Sequence, residues 1–145
     1  MTDATDLQLR AFGRDDTETV VALWHACGLV VPWNDPHRDI ERKKAVQRDL
    51  FLVAVEGDSI LGAGMAGYDG HRGWVNYLAV RPDARQVGIG RALMAEFESR
   101  LLALGCPKVN LQVRAGNDEV LAFYARLGYE PDHAVSLGKR LIPDV

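Results

Sequence analysis

Residues 80–91 read Val80-Arg81-Pro82-Asp83-Ala84-Arg85-Gln86-Val87-Gly88-Ile89-Gly90-Arg91. An apolar strand ends at Val80, and a helix with apolar residues at helical spacing follows the glycines. Glycine lets a backbone turn tightly and approach a ligand closely, and the free amides at a helix start carry partial positive charge. A strand, loop and helix in this order bind phosphate groups. With Arg85 and Arg91 adding charge, the stretch predicts a pyrophosphate site held by the amides of Gln86 to Arg91.

Two common phosphate motifs do not fit this loop. The chain contains no G-x-x-x-x-G-K-[ST] run, and Leu93 stands where the dinucleotide motif G-x-G-x-x-[GA] needs its third small residue. The spacing that fits is Arg85-x-x-Gly88-x-Gly90, which resembles the [QR]-x-x-G-x-[GA] signature of the GNAT N-acetyltransferase superfamily. That resemblance implies that the loop holds the pyrophosphate of acetyl-coenzyme A (acetyl-CoA). For these six residues alone, an ordinary strand-to-helix connection is the alternative.

Length and composition bound the function classes. The 145 residues and 48% hydrophobic content suit a single domain, residues 1–145. No apolar stretch reaches membrane-spanning length, and the polar Met1 to Asp6 is unlike a secretory signal. Cys27 and Cys106 lack disulfide or metal spacing, so we expect free, buried thiols in a cytoplasmic protein without a metal. A net charge of −3 without a basic block argues against nucleic acid as a partner.

The periodicity predicts the order β-α-α-β-β-β-α-β-α-β. Strands are expected at 7–12, 50–56, 59–67, 74–80 and 109–113, with one or two more to about residue 141; helices are expected at 14–27, 35–48, 88–105 and 117–127. Hairpins come first and helix-linked strands later, which predicts an α+β fold with a mixed sheet. The superfamily resemblance implies three layers: a mostly antiparallel sheet of six to seven strands with helices on both faces.

A second motif lies about 30 residues beyond the loop. Residues 117–129 resemble the superfamily segment N-x(6)-[FY]Y-x(3)-G-[FY]. Asn117 and Tyr124 are two helical turns apart and therefore share a helix face. The resemblance implies that Asn117 contacts the pantetheine or phosphate region, and that the Tyr124 hydroxyl lies near the sulfur and protonates the leaving thiolate. Judged alone, these residues also fit a helix cap and an apolar stripe.

The resemblance extends over nearly the whole chain, to the bacterial YpeA group of small acetyltransferases. It is carried by Trp33–Pro36 with Asp39–Lys43, by Gly67–Gly73, by Gly105–Lys108 and by Leu137–Leu141. This group does not supply the acceptor.

The remaining roles also follow from the superfamily resemblance. A backbone N–H on the strand before the loop is expected to stabilise the oxyanion, with Val80 favoured as the donor. Many relatives carry a glutamate base on the central strand that deprotonates the acceptor ammonium. Asn76 occupies the matching position here, and its amide cannot accept this proton. Asp69 and His71 lie nearby, but solvated turn residues are the better interpretation, so no base is named. In the superfamily the segment between the first two helices borders the acceptor cleft, which implies that Trp33 and Asn34 line it. The alternative is that this segment only provides a hydrophobic anchor and a helix cap.

The predicted site therefore has three sets. Catalytic residues are Tyr124 and Val80; cofactor-binding residues are Leu78, Ala79, Val80, Arg85, Gln86, Val87, Gly88, Ile89, Gly90, Arg91, Asn117 and Tyr124; substrate-binding residues are Trp33, Asn34 and Asn76. The predicted function is acetyl-CoA-dependent N-acetylation of a primary amine, on a small molecule or a protein, by direct attack in a ternary complex. This function is compatible with a homodimer, and the motifs do not distinguish acetyl-CoA from a donor with a longer acyl group. The alternative is a catalytically weak module that senses acetyl-CoA.

Overall fold

The computed structural model of the chain describes residues 6–144. Residues 1–5, which carry most of the polar N-terminus discussed above, and residue 145 lie outside the described part. Besides three short 3₁₀ helices, the described residues form four α-helices and five strands: β1 Leu7–Ala11, α1 Thr17–Ala26, α2 Pro36–Lys44, β2 Phe51–Glu56, β3 Ser59–Tyr68, β4 Gly73–Val80, α3 Ile89–Ala103, β5 Val109–Leu111 and α4 Asp118–Arg126.

The strands form one five-stranded sheet in the order β1-β2-β3-β4-β5. The first four pair antiparallel. α1 and α2 lie in the connection from β1 to β2, whereas β2, β3 and β4 follow each other through short turns, such as the two-residue turn between β2 and β3, where Gly57 has φ of +60°. β5 pairs parallel to β4 because α3 carries the chain back across the sheet. The predicted mixed, mostly antiparallel α+β fold is confirmed.

Helices cover both faces of the sheet, and the period of two along each strand separates two cores. In β2, Phe51, Val53 and Val55 face α1 and α2, whereas Leu52 and Ala54 face α3 and α4. The core on the first side includes Val20, Trp24, Ile40 and Met65; the core on the second includes Leu93, Phe97, Leu101 and Tyr124. This gives the three layers that the resemblance implied.

The C-terminal segment differs from the prediction. Within residues 6–144 the sheet has five strands, not six to seven, and no strand follows α4. The segment after α4 meets β5 and its continuation through side chains: Lys108 and Asn110 bond Asp132, and Gln112 bonds Ser136. These contacts leave the β5 backbone edge unpaired by the segment.

The chain end is anchored at α2 instead. Asp144 accepts hydrogen bonds from the Asp35 amide at 2.8 Å and from Arg42 at 2.7 Å. Leu137, with 90% of its surface exposed, therefore has no sheet layer to bury against. The segment is thus held by side-chain contacts and at Asp144, and the predicted terminal strand to about residue 141 does not form.

Two helix ends also differ from the prediction. α2 stops at Lys44 rather than Arg48, because Gln47 adopts a left-handed backbone with φ of +50°. α3 stops at Ala103, before Gly105 with φ of +86°. Leu104 consequently follows the end of the helix and is 51% exposed, although the periodicity placed it inside the helix 88–105. Within residues 6–144, no helix has the length and apolar character needed to cross a membrane.

Candidate active site

The sheet opens where β4 and β5 part. The two strands pair over only three residues, Gly73–Val75 with Val109–Leu111. β4 then continues to Val80 with a bulge: Met65 pairs with Asn76 but Ala63 pairs with Ala79, so β4 contains one residue more than β3 here. Tyr77, inside the bulge, has φ of +57°. No sequence pattern predicts a left-handed tyrosine at this position.

A cleft of about 650 Å³ occupies this opening. Its wall on the side of β5 and α4 is lined by Leu111, Gln112, Val113, Arg114, Asn117, Val120 and Tyr124. Its wall on the side of α1 and α2 is lined by Cys27, Gly28, Leu29, Asn34, Asp39, Arg42, Lys43 and Val46, and its floor by Met65, Val75, Asn76, Tyr77 and Leu78. The structure thus brings five of the predicted site residues into one cleft: Asn34, Asn76, Leu78, Asn117 and Tyr124.

The predicted pyrophosphate loop leads from β4 into α3. Gln86 and Gly88 have φ of +69° and +87°, and Gly88 is the N-cap of α3 without a side-chain cap. Within residues 6–144, the amides of residues 86–91 donate to no other backbone carbonyl; the first such helical bond is from Ala92 to Gly88. The loop therefore presents a row of free N–H donors at a helix N-terminus, an arrangement suited to an anion.

Gly90 has a role that the sequence analysis did not identify. It is buried, and a Cβ there would lie 3.0 Å from the Phe123 ring of α4 and 3.6 Å from Val80. Its small size thus serves close packing of α3 against α4 rather than approach to a ligand. Gly88, by contrast, would meet nothing within 4 Å and is needed for its backbone conformation.

Arg85 connects the loop to the cleft. Its guanidinium donates to the Val80 carbonyl at 3.2 Å and lies 3.5 Å from the Cys27 sulfur. Cys27 is half-buried and lines the cleft, contrary to the expectation of a buried thiol, whereas Cys106 is buried as expected. Arg91 is exposed on the first turn of α3. Both arginines lie where they can add charge beside the free amides.

Tyr124 is buried on α4, with 9% of its surface exposed. Its ring stands edge-on to Phe123 and Tyr129, at centroid distances of 5.0 and 5.8 Å. Desolvation by this burial raises the pKa of its hydroxyl to about 12. The hydroxyl is therefore protonated at neutral pH and has a proton to donate in a hydrogen bond.

Two asparagines present amide groups to the same cleft. The Asn117 side-chain oxygen caps α4 by accepting from the Val120 amide at 3.3 Å. That bond leaves its NH₂ group for another partner. Asn76 is exposed on β4, opposite Met65. Asn117 therefore acts as a helix cap, one of the alternatives weighed from sequence, and lines the cleft as well.

Besides the loop residues 85–91, three predicted residues do not line the cleft. Val80 ends β4 with its carbonyl engaged by Arg85 and by the Cys27 thiol at 3.3 Å, and Ala79 is buried in the sheet. Trp33, 59% exposed, lines a separate open groove of about 560 Å³ beside the C-terminal segment. Of the two residues predicted from the segment between α1 and α2, only Asn34 lines the cleft, together with Cys27, Gly28 and Leu29 of the same segment.

Sequence reasoning missed a charged network on the α2 wall. The Tyr77 hydroxyl donates to Asp39 at 2.6 Å, and Asp39 also accepts from Arg42 at 2.9 Å. Arg42 reaches on to Asp144, and this pairing lowers the pKa of that carboxyl to about 2. The Tyr77 ring stacks on Trp24 at 4.0 Å. Asp39 precedes Tyr77 by 38 residues, so no local pattern signals the pair.

The turn before β4 has a structural role, as expected. Asp69 accepts from the amides of His71 and Arg72, both at 2.7 Å, which lowers the pKa of the Asp69 carboxyl. Neither Asp69 nor His71 lines the cleft. In the part of the chain that the structure describes, no group of three or more metal-ligating side chains comes together.

Comparison with known proteins agrees with this geometry. The sequence profile of the "Acetyltransferase (GNAT) family" matches residues 16–129. An acetyltransferase of Pectobacterium atrosepticum is 51% identical over 138 residues, covering 95% of this chain and 98% of that protein. An acetyltransferase of Sodalis glossinidius is 51% identical over 139 residues, with the same coverage.

Solved structures share the fold. Ard1 from Thermoplasma volcanium matches with a TM-score of 0.74 and 25% identity over 85% of this chain and 82% of that one. A chain of the NatC complex bound to Gag peptide and CoA matches with a TM-score of 0.71 and 17% identity, over 84% and 83%. The chain therefore belongs to the acetyltransferase (GNAT) family, as its motifs predicted, and is an acetyl-CoA-dependent N-acetyltransferase.

Proposed function

We propose that the protein transfers the acetyl group of acetyl-CoA to a primary amine of a small molecule or protein, by direct attack in a ternary complex. One observation carries the proposal: the cleft between the parting strands β4 and β5 has Asn117 and Tyr124 on one wall. Through Arg85 and Cys27 it adjoins the free amides of residues 86–91. A cofactor with phosphates at one end and a thioester at the other fits this order.

The loop and α4 hold the cofactor. The amides of residues 86–91, with Arg85 and Arg91, bind the pyrophosphate. The pantetheine arm then enters the opening beyond the last β4–β5 pair, where Asn117 offers its free NH₂ group. The fold neighbour NatC binds CoA, which supports this assignment.

A β4 amide stabilises the oxyanion. From the sequence Val80 was the favoured donor. Leu78 is the better placed of the two, because it lies in the bulge, opposite no β3 residue, and lines the cleft. An amide that the neighbouring strand does not use can donate to a developing oxyanion.

Tyr124 assists the departure of the thiolate. A thiol has an ordinary pKa of about 8.5, well below the value of about 12 for this hydroxyl. Complete proton transfer is therefore uphill, so the hydroxyl acts as a hydrogen-bond donor to the developing thiolate. The CoA thiolate then takes its proton from solvent rather than from Tyr124.

No side chain is assigned as general base. Asp39 is the one carboxylate among the described residues of the cleft lining, and Tyr77 and Arg42 occupy both of its oxygens. The acceptor ammonium therefore loses its proton to water before it attacks, and the neutral amine is the species that reacts.

The test is a transfer assay joined to a binding measurement. Thiol release from acetyl-CoA is followed against a broad panel of amines, and acetylated products are confirmed by mass spectrometry. Calorimetry compares CoA affinity for the wild type, Arg85→Glu and the control Arg14→Glu. Arg14 carries the same charge at the opposite end of α1, roughly 15 Å from Cys27. We expect affinity to fall for Arg85→Glu only, and equal affinities would refute the loop assignment.

The sensor module remains a second candidate, favoured by one observation. Asn76 stands on β4 where a carboxylate base would be expected, and Asp39 is already paired. Tight CoA binding without transfer to any amine of the panel would select this alternative.

A further inference from the structure

The α2 wall of the cleft contains an ammonium group without an ionic partner. Lys43 lines the cleft and is half-buried. Its Nζ donates to the Ala66 carbonyl of β3, and among residues 6–144 no carboxylate lies within ion-pair distance of it. An ammonium has three N–H donors, so this single bond leaves two.

The other charges of the cleft are compensated or lie elsewhere. Asp39 pairs with Arg42, and Arg42 also reaches Asp144, whose carboxyl is fully buried. Arg114 is exposed on the opposite wall, where its carbonyl accepts from the Asn117 amide, and so belongs to the cofactor side. Lys43 is therefore the cleft-lining cation of the α2 wall that has no ion-pair partner among residues 6–144; the carboxylate whose charge acts on it, Asp49, lies outside the cleft lining.

We propose that the acceptor is an amine that also carries a carboxylate, and that this carboxylate binds the Lys43 ammonium while the amine faces the thioester. The inference rests on the proposed function and names its substrate class. Desolvation lowers the pKa of Lys43, which means that the site disfavours a bare ammonium. Asp49 offsets part of that penalty from outside ion-pair distance, and a bound carboxylate relieves more of it by placing an opposite charge in direct contact with the ammonium.

A structural role for Lys43 gives different results. Ala66 lies beyond the end of β2 pairing, so its carbonyl needs a donor, and Lys43 supplies one. If this were the whole role, removing the ammonium would lower stability without changing the choice of acceptor. The two roles are separated by measuring acceptor choice alongside the melting temperature.

The first experiment compares each amino acid with its own carboxamide, for glycine, β-alanine and longer homologues. In the longer homologues the carboxyl group is far from the amine, so the acid and its amide have nearly the same amine pKa. For the best chain length we expect the wild-type KM to be lower for the carboxylate by about tenfold or more, as for a hydrogen bond to a charged group. Lys43→Met should bring this ratio near one, and Lys43→Arg should retain part of it. The control Lys44→Met should keep the full ratio, because Lys44 pairs with Glu41 at 2.8 Å outside the cleft.

The second experiment does not depend on turnover. Calorimetry measures binding of N-acetyl amino acids and their amides to the CoA-saturated protein. The inference is overturned if the wild type binds the acids and the amides equally, or if Lys43→Met still binds the acids more tightly. Neither result contradicts the proposed acetyl transfer to uncharged amines. Conversely, a protein that binds the acid through Lys43 but transfers to no amine supports the carboxylate site and refutes the proposed function.

A third arm identifies the source of the carboxylate. Short peptides with a free N-terminal amine and either aspartate or asparagine at the second position are compared with the free amino acids. Preference confined to the free amino acids indicates a small-molecule acceptor, whereas preference for the aspartate peptide indicates an acidic protein N-terminus. Either preference supports the carboxylate site, and its absence in both series overturns it.

Discussion

Replacing Tyr124 with phenylalanine should separate catalysis from stability. The ring packs edge-on against Phe123 and Tyr129, and phenylalanine retains both contacts. In the described part of the chain, no hydrogen bond to the Tyr124 hydroxyl is formed, and burial raises its pKa to about 12. Because removing this hydroxyl breaks no hydrogen bond among the described residues, the melting temperature should change little.

The effect on turnover follows from the proton energetics. The gap of about 3.5 between the pKa of this hydroxyl and that of an ordinary thiol makes complete proton transfer uphill by about 5 kcal/mol. Tyr124 therefore contributes a hydrogen bond to the thiolate, made only as negative charge develops. Loss of one such donor costs about 100-fold in kcat, the lower end of the usual range. Acetyl-CoA affinity should change little, because the neutral thioester sulfur is a weak acceptor.

The assay is thiol release under acetyl-CoA saturation, with calorimetry for affinity and scanning calorimetry for stability. Tyr129→Phe is the matched control: it removes a hydroxyl from the same aromatic cluster, but Tyr129 bonds Glu98 and lies outside the cleft. Wild-type kcat in Tyr124→Phe would remove the hydroxyl from the leaving-group step. A loss of affinity as large as the loss of kcat would assign the hydroxyl to cofactor binding instead.

Three further predictions follow from the same contacts. Gly88→Ala places a side chain at φ of +87° and should cost about 1–2 kcal/mol in urea unfolding as well as weaken CoA binding; unchanged unfolding would contradict the backbone argument. Asp144→Asn should lower the melting temperature above about pH 4, where Arg42 holds the native carboxyl ionised. Since the folded pKa is depressed to about 2, the difference from wild type should vanish as pH falls from about 4 to about 2, and a constant difference would refute it. Finally, kcat/KM should rise with pH up to the amine pKa of the acceptor, and the inflection of this profile should move when the acceptor is changed. An inflection at the same pH for all acceptors would instead indicate a base on the enzyme.

Local chemistry made much of the fold predictable. Asp35 caps α2 by accepting from the His37 amide at 2.9 Å, and Asn117 caps α4, both as the sequence indicated. Gly57 forms the turn of the first hairpin. These features depend on a few adjacent residues, so a single sequence contains the necessary information.

The α2 wall of the cleft was not predictable in this way. Its network joins Tyr77 to Asp39 across 38 positions and Arg42 to Asp144 across 102 positions. The strongest local signal in that region, Trp33, proved to lie in a different groove. Long-range pairing of this kind becomes visible only when the sheet and helices have brought distant segments together.

The two sequence motifs are physically connected, which explains why neither is sufficient alone. Gly90 belongs to the loop motif and Phe123 to the α4 motif, and a Cβ at Gly90 would lie only 3.0 Å from the Phe123 ring. Phe123 in turn stands edge-on to Tyr124, its neighbour in the chain. A side chain at position 90 would therefore press on the Phe123 ring, which stands beside the proposed thiolate donor, even though Gly90 itself is buried away from the cleft. The loop signature thus sets the start of α3 through Gly88 and leaves room for the Phe123 ring of α4 through Gly90.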